Sequence, residues 1–417
     1  MHLKNRKKCR ICGSEALTKV INLGQQDIQG RFYTDEKTSF SRRQIPLVLV
    51  RCDPTIDQDA CGLLQTELSI PPELLYQTYW YRSGTNNSMK NHLKQISEEC
   101  LSIFGAEVRS VLDIGCNDGT LLNYFPATAN KVGIDPSNII PKNQTSSTFI
   151  RDFFPSAKLN SQMKDKKFDV ITSIAMLYDL ENPIEFTNEI ERILADDGIW
   201  VFEVSYMPQM LEQGSYDSIC HEHLEYYSLA VLENLLRRSN MEIFKVQFNK
   251  MNGGSIRCFS KKCSCIKYYT EENADFINLT RINEFNMGLD TDFPYLNFQS
   301  KINKHKIDLR NLIIGIKADG KRIHLYGAST KGNSILQWCE ISKDHIDYAA
   351  DRNPDKFGLF CPGSGIKIIS EQESRELQPE FYLVMPWHFK EEFLEREESV
   401  RYKGVKFIFP LPEIEII

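Results

Sequence analysis

The chain has 417 residues, more than one hydrophobic core holds at roughly 100–200 residues per domain, so a multidomain protein is expected. Charged residues make up 25% and hydrophobic residues 41%, as in ordinary globular proteins, and a net charge of −6 argues against general affinity for nucleic acid. The basic, polar first ten residues and the lack of any run of about 18 apolar residues predict neither a signal peptide nor a membrane span, hence a cytoplasmic protein whose twelve cysteines serve metal ligation or burial instead of disulfides.

Residues 1–70 contain four of those cysteines and read as strand-poor, with Leu47–Val50 the clearest strand. Residues 71–107 read as a helical connector, with apolar positions Leu93, Ile96 and Leu101. From 108 to 262 strands and helices alternate. Expected strands are Ser110–Ile114, Lys131–Ile134, Phe168–Ser173 and Ile199–Val204, and a helix is expected over Pro183–Ala195. This alternation predicts a parallel, doubly wound α/β sheet. A helix at about 229–239 and the strands Glu242–Phe248 and Ser255–Ser260 close it as an antiparallel pair. Residues 263–316 read as a helical linker, looser at Gly288–Leu296. A second α/β unit follows over 317–417, with strands Arg322–Tyr326, Ile346–Ala350, Phe381–Met385 and Lys406–Phe409 and a helix over Lys331–Glu340.

The first strand of the central unit runs Val111-Leu-Asp113-Ile-Gly115 and breaks into Cys116-Asn117-Asp118-Gly119, and Asp135 follows sixteen residues later. A buried strand that ends in a glycine turn lets backbone N–H groups approach a ligand at a helix N-terminus, and an acid after the next strand can hold a ribose diol. The form Asp113-x-Gly115-x-x-x-Gly119 resembles class I S-adenosylmethionine (SAM) methyltransferases more than the dinucleotide fingerprint. Asp113, Gly115, Asn117, Asp118 and Gly119 are expected at the methionine part of SAM, Asp135 at the ribose, Asp152 and Phe153 at the adenine, and Ser173 at the end of the third strand.

Cys9-x-x-Cys12 with Cys52 and Cys61 offers four thiolates for a tetrahedral zinc ion that leaves no position open for catalysis. Eight residues separate Cys52 from Cys61, where a zinc knuckle usually has two. A third signal, Cys220-His221-Glu222-His223-Leu224-Glu225-Tyr226-Tyr227, follows the fourth strand and so falls at the carboxyl edge of the sheet. A histidine that titrates near neutrality suits proton abstraction there. The loop Tyr79-Trp80-Tyr81-Arg82-Ser83-Gly84 is a candidate to cover a sugar or nucleotide. The turn Gly327-Ala-Ser329-Thr-Lys331-Gly332 has serine where a dinucleotide site has its middle glycine; it reads either as a structural turn or as a contact to a substrate diphosphate or sugar.

In this order the pieces resemble the sugar C-methyltransferases that act on nucleotide-linked deoxysugars. The resemblance rests on Cys9-x-x-Cys12, Cys61-Gly-Leu-Leu-Gln65, Tyr81–Gly84, Asp113–Gly119, Glu222-His223, Asn252–Arg257, Tyr326–Gly332, Asp351–Pro354 and Pro386-Trp387. It implies a class I SAM methyltransferase domain of Rossmann-like α/β fold, flanked by a small N-terminal zinc module (1–70) and a C-terminal Rossmann-like domain (317–417). It further implies SAM as cofactor, a structural zinc ion, a nucleotide-linked 4-keto sugar as substrate, and no nucleic acid, membrane or obligate protein partner. His223 is then the base that removes the C3 proton, assisted by Glu222 and, less directly, His221. Tyr81 or Tyr79 donates to the enolate oxygen, and Arg82, Ser83, Asn252 and Lys331 contact substrate. Asp179 stands nearest the position where better-known members carry a histidine, and Cys220 stands where they can carry tyrosine. These departures leave O- or N-methylation of a related sugar as the alternative.

Overall fold

The computed structural model describes residues 3–40, 44–76, 80–105, 107–141, 146–164, 166–401 and 404–417. At its centre is a seven-stranded sheet in the order Met241–Asn249, Ser255–Lys262, Leu194–Ser205, Phe168–Ile174, Ser110–Ile114, Asn130–Ile134, Thr148–Ile150. Ser255–Lys262 is antiparallel to both neighbours and the remaining pairs are parallel. This is the class I methyltransferase arrangement. Its strands are near-continuous runs of β-branched and aromatic residues because helices cover both faces. On one face the helix Asn87–Phe104 buries Leu93, Ile96 and Cys100. Asn86 caps it by accepting from the Ser88 N–H, and Gly105 ends it at φ 68°. On the other face Pro183–Ile193 starts with proline in its first turn behind the Asn182 cap and buries Phe186, Ile190 and Ile193.

The expectation of a strand-poor N-terminal module does not hold. Leu17–Gln26, Ile45–Cys52 and Leu64–Thr66 form an antiparallel sheet. The register of the first strand shifts twice, between Lys19 and Ile21 and between Asn22 and Gln25. Such bulges break the two-residue alternation that marks a strand in sequence. The sheet gains a fourth strand from far along the chain, because Glu225–Tyr226 pairs with Gln65–Leu64. The expected boundary near residue 70 is therefore crossed by backbone hydrogen bonds.

The stretch expected as a helical linker holds two helices, Glu271–Asn286 and Phe293–Ala318. The second starts inside the segment read as loose, since Pro294 suits a first helical turn. Its buried residues Tyr295, Phe298, Ile302, Leu309 and Ile313 share one core with Leu47 and Leu49 of the N-terminal sheet and with the C-terminal unit. The helical connector read over 71–107 is two pieces, Glu73–Tyr76 and Asn87–Phe104, with the aromatic loop between.

The C-terminal sheet has the order Ile368–Ser370, Tyr348–Asp351, Ile323–Tyr326, Phe381–Val384, Lys406–Phe409, Glu415–Ile416. All pairs are parallel except the last. Strand order reverses between Ile323–Tyr326 and Phe381–Val384, which is where α/β sheets open a crevice at their carboxyl ends. Among the described residues no helix is long and apolar enough to cross a membrane.

Candidate active site

The zinc module brings its four cysteines together. The Sγ atoms of Cys9, Cys12, Cys52 and Cys61 all lie within 4.8 Å of one another, with Cys9–Cys61 at 3.5 Å and Cys12–Cys52 at 3.4 Å. A tetrahedral ion with Zn–S bonds of about 2.3 Å sets sulfurs about 3.8 Å apart, so the cluster fits zinc. The eight-residue insertion forms a turn in which Asp53 accepts from Thr18 and Thr55 and so leaves the ligands undisturbed.

At the carboxyl end of Ser110–Ile114 the chain turns with Gly115 at φ 73°, Asn117 at 52° and Gly119 at 75°. A β-carbon on Gly119 would meet the Phe149 ring at 2.6 Å, so the residue type is fixed by close packing. The Asp135 carboxylate accepts from the Asn117 and Ser137 N–H groups, which locks the turn against the second strand. Asp113 is buried and accepts from the Thr172 hydroxyl at 2.7 Å. Burial, with the nearby charges of Asp135 and Asp118, pushes its carboxyl up to about 7. A crevice with three acids at its rim suits a cationic ligand, and SAM carries a sulfonium and an α-ammonium group.

The aromatic loop lies on this turn. The Ser83 N–H donates to Asn117 Oδ1, Asn117 Nδ2 donates to the Tyr81 carbonyl, and the Gly84 N–H donates to Asp118 Oδ2. Trp80 packs edge-on to Phe32, and its carbonyl accepts from Asn353. The loop thus joins all three modules.

The segment Cys220–Tyr227 packs on the turn after the third strand, where the Leu224 N–H donates to the Tyr178 carbonyl. His223 donates from Nδ1 to the Ser218 carbonyl at 2.7 Å, because a carbonyl can only accept, and this leaves the lone pair on Nε2. Its ring packs on Tyr178 with centroids 4.4 Å apart. Burial and the Lys331 charge lower its pKa to about 3, so it is neutral at physiological pH. The Glu222 carboxylate takes the Gly30 N–H on Oε1 at 2.8 Å, while buried Oε2 has no hydrogen-bond partner among the described residues, and burial raises its pKa.

The second unit's crevice faces the same segment. Lys331 donates to the Asn252 carbonyl at 2.7 Å, and burial lowers its pKa. Ser334 donates to the Ile219 carbonyl and Asn333 to that of Gln29. Trp387 donates to Asp217 at 2.9 Å.

Three family models match the chain in series. Residues 9–76 match a zinc binding domain, residues 86–246 a methyltransferase domain, and residues 250–412 a C-methyltransferase C-terminal domain. The C-methyltransferase NovU of Streptomyces niveus is 26% identical over 415 residues, which cover 98% of this chain and 96% of NovU. The chain is a SAM-dependent methyltransferase. It is homologous along almost its whole length to a C-methyltransferase. The ubiquinone biosynthesis O-methyltransferase of Actinobacillus pleuropneumoniae serotype 7 (strain AP76) is 26% identical over 209 residues, 42% of this chain and 84% of that protein. The crystal structure of the plantazolicin methyltransferase BpumL with a pentazolic desmethylPZN analog and SAH aligns at 19% identity and a TM-score of 0.33, covering 43% of this chain and 87% of that one.

Within the methyltransferase, the fold gathers Asp113, Gly115, Gly119 and Asp135 at one crevice. Asn117 and Asp118 also sit there, but their side chains hold the aromatic loop. Asp152 is half-buried, and its oxygens accept from the Phe153 N–H and the Ser156 hydroxyl. Ser173 is not brought to the crevice. It is buried and accepts from Trp200 Nε1, because alternate residues of Phe168–Ile174 face opposite sides and the crevice side at this level belongs to Thr172. His221 faces the N-terminal module, with Nδ1 at 2.9 Å from Gln29 Oε1, and burial lowers its pKa to about 4. Asp179 lines a cavity of about 160 Å³ with Tyr76, Glu181 and Leu224, and its carboxyl is pushed well up by burial and by Glu222 and Glu225. Tyr81 is half exposed, and Arg82 lies 3.9 Å from Asp355. Tyr79 lies outside the described residues.

Thr172, Gln29, Gly30 and Asp217 make these contacts without having been read from the sequence. Each is an isolated polar residue or glycine on an element with no motif of its own.

Proposed function

We propose that this methyltransferase adds a methyl group to C3 of a nucleotide-activated 4-keto deoxysugar through an enolate. The observation that carries the reading is His223, whose Nδ1–H is held by the Ser218 carbonyl so that Nε2 presents a lone pair. A carbonyl at C4 acidifies the C3 proton, and Nε2 accepts it. The buried Lys331 charge disfavours protonated His223, yet the same charge favours the enolate anion formed in that step. Glu222, held by the Gly30 N–H, sets the backbone of the loop, and Tyr81, half exposed, donates to the enolate oxygen. SAM supplies an electrophilic methyl group when bound. Asp113, Asp135 and the Gly115–Gly119 turn hold it, with Asp152 and Phe153 toward the adenine. The zinc module is structural, and Asn252 and Lys331 contact the substrate. Cytoplasmic location and action without a protein partner complete the proposal.

The test is mass spectrometry of a panel of 4-keto nucleotide sugars incubated with the enzyme in heavy water, with and without SAM. Gain of one methyl with SAM, and deuterium uptake beside the ketone without it, is the expected result. The His223→Ala variant should lose both, with turnover down by about 10²–10⁴-fold and SAM affinity unchanged. Methyl gain without any exchange, in wild type and variant alike, would overturn the enolate route in favour of O- or N-transfer.

A further inference from the structure

Behind the cleft lies a buried polar knot that the proposed chemistry does not use. Glu203 sits near the carboxyl end of Leu194–Ser205, 2% exposed. Its Oε1 accepts from His92 Nε2 at 2.7 Å, and its Oε2 accepts from Arg257 Nε and Asn249 Nδ2, both at 2.9 Å. Its backbone carbonyl accepts the Ala175 N–H at 2.8 Å. Arg257 Nη1 reaches Glu99 at 3.2 Å. His92 and Arg257 draw the Glu203 carboxyl below its usual range against a strong burial penalty, so it is ionised. A buried ionised group keeps its place only when its lone pairs are met, so its partners are held in turn.

Three of these partners lead on to the segments around the cleft. His92 is on Asn87–Phe104, directly after the loop that clamps Asn117 and Asp118. Asn249 precedes the turn in which Asn252 adopts φ 57° and offers its carbonyl to Lys331; Asn249 Oδ1 takes the Met251 N–H inside that turn. Ala175, at φ 55°, opens the segment whose Tyr178 packs on His223.

We infer that Glu203 is a positioning residue that sets the cofactor wall and the acceptor wall of the cleft in register, each through its own arm. Neither arm touches the reacting atoms. The His92 arm bears on SAM, and the Asn249 arm bears on the 249–254 turn.

The full-length, zinc-loaded protein tests this without knowledge of the acceptor, by SAM calorimetry and amide hydrogen exchange. Loss of one buried hydrogen bond corresponds to about a tenfold change in an equilibrium. His92→Leu is expected to weaken SAM binding about tenfold and to speed exchange over 81–104 only. Asn249→Ala is expected to speed exchange over 249–254 about tenfold and to leave SAM affinity within about twofold. Glu203→Ala combines both effects. Glu203→Gln reverses most of them, since its amide can donate to a retautomerised His92 while its oxygen still accepts from Arg257. If Glu203→Ala fails to fold, the single-arm variants decide. A uniform loss of thermal stability without this arm-by-arm split, or unchanged SAM affinity and exchange in the single-arm variants, overturns the inference.

Discussion

The two Rossmann-like units carry the same layout, a strand, a tight turn at positive φ and an acid after the next strand, yet the acids of the two stand in different surroundings. In the C-terminal unit the serine of the turn and the acid after the next strand are both engaged. Ser329 caps its own helix by accepting from the Gly332 N–H, and Asp351 accepts from the Ala328 and Asn353 N–H groups and pairs with Lys356. In the central unit Asp135 also accepts two backbone N–H groups, but the charges that bear on Asp113 are those of Asp135 and Asp118. An acid neutralised by a lysine is a brace, and acids left to repel one another await a cation. What the second unit contributes is the carboxyl end of its sheet, from which Lys331 donates to the Asn252 carbonyl and Trp387 to Asp217.

The largest effect that sharpens this contrast comes from the zinc module. Structural zinc sites contribute roughly 10–16 kcal/mol. Here the module's strand Leu64–Thr66 carries the strand Glu225–Tyr226, which begins two residues after His223. Chelation, or Cys61→Ser, should abolish turnover and strip exchange protection from 220–227, while the sheet at 323–409 stays protected. A zinc-free protein with full activity would break the link. Next in size is a paired substitution of the two acids. Asp135→Ala should weaken SAM binding by about 100-fold, as expected for loss of charge-assisted hydrogen bonds. Asp351→Ala should leave SAM affinity unaltered and lower stability by about 1–3 kcal/mol, since it takes the carboxylate from Lys356 and the acceptor from the Ala328 N–H. Equal losses of SAM affinity in calorimetry would mean that the units are not distinct in this way. Gly30→Ala is smaller again. Its β-carbon would lie 2.4 Å from Glu222 Oε1, so Glu222 must move. Turnover should fall by about tenfold, the scale of one lost hydrogen bond, with SAM affinity unchanged.

Features written within a few residues of one another were legible in the sequence. The strand Ser110–Ile114, its turn and Asp135 follow from local pattern, and so does the helix at Pro183 with its cap. The zinc ligands were legible because a Cys-x-x-Cys pair with two further cysteines in the same segment has few other uses. What was not legible depends on partners distant in the chain. The strand Glu225–Tyr226 is two residues long and exists only because Leu64 and Gln65 offer an edge. Asn117 and Asp118 carry the expected residue types, but their side chains serve the Tyr81–Gly84 loop, a contact no spacing encodes. Ser173 and Thr172 are adjacent and similar, and only the face each takes, set by pairing with Ser110–Ile114 and Leu194–Ser205, decides which one meets Asp113.

The smallest effect is a pH dependence that follows from the uncompensated acids. Asp113 titrates at about 7 in the free protein, mainly through burial. Because the folded value lies above the unfolded one, the unfolded chain binds fewer protons over the window from about 4 to 7, and the stability of the free protein falls as pH rises through it. A bound cation lowers the same pKa, so SAM binding expels a proton below pH 7. SAM affinity should therefore fall by about tenfold per unit as pH drops below about 7, and level off above it. The central unit alone should behave in this way, since Asp351 of the second unit already has its lysine. Calorimetry of SAM binding in buffers of different ionisation enthalpy measures the expelled proton directly. Asp113→Asn, which keeps the acceptor for Thr172 and removes the titration, should flatten the profile. A slope that persists in this variant would assign the proton to another group and remove Asp113 from the contrast between the two units.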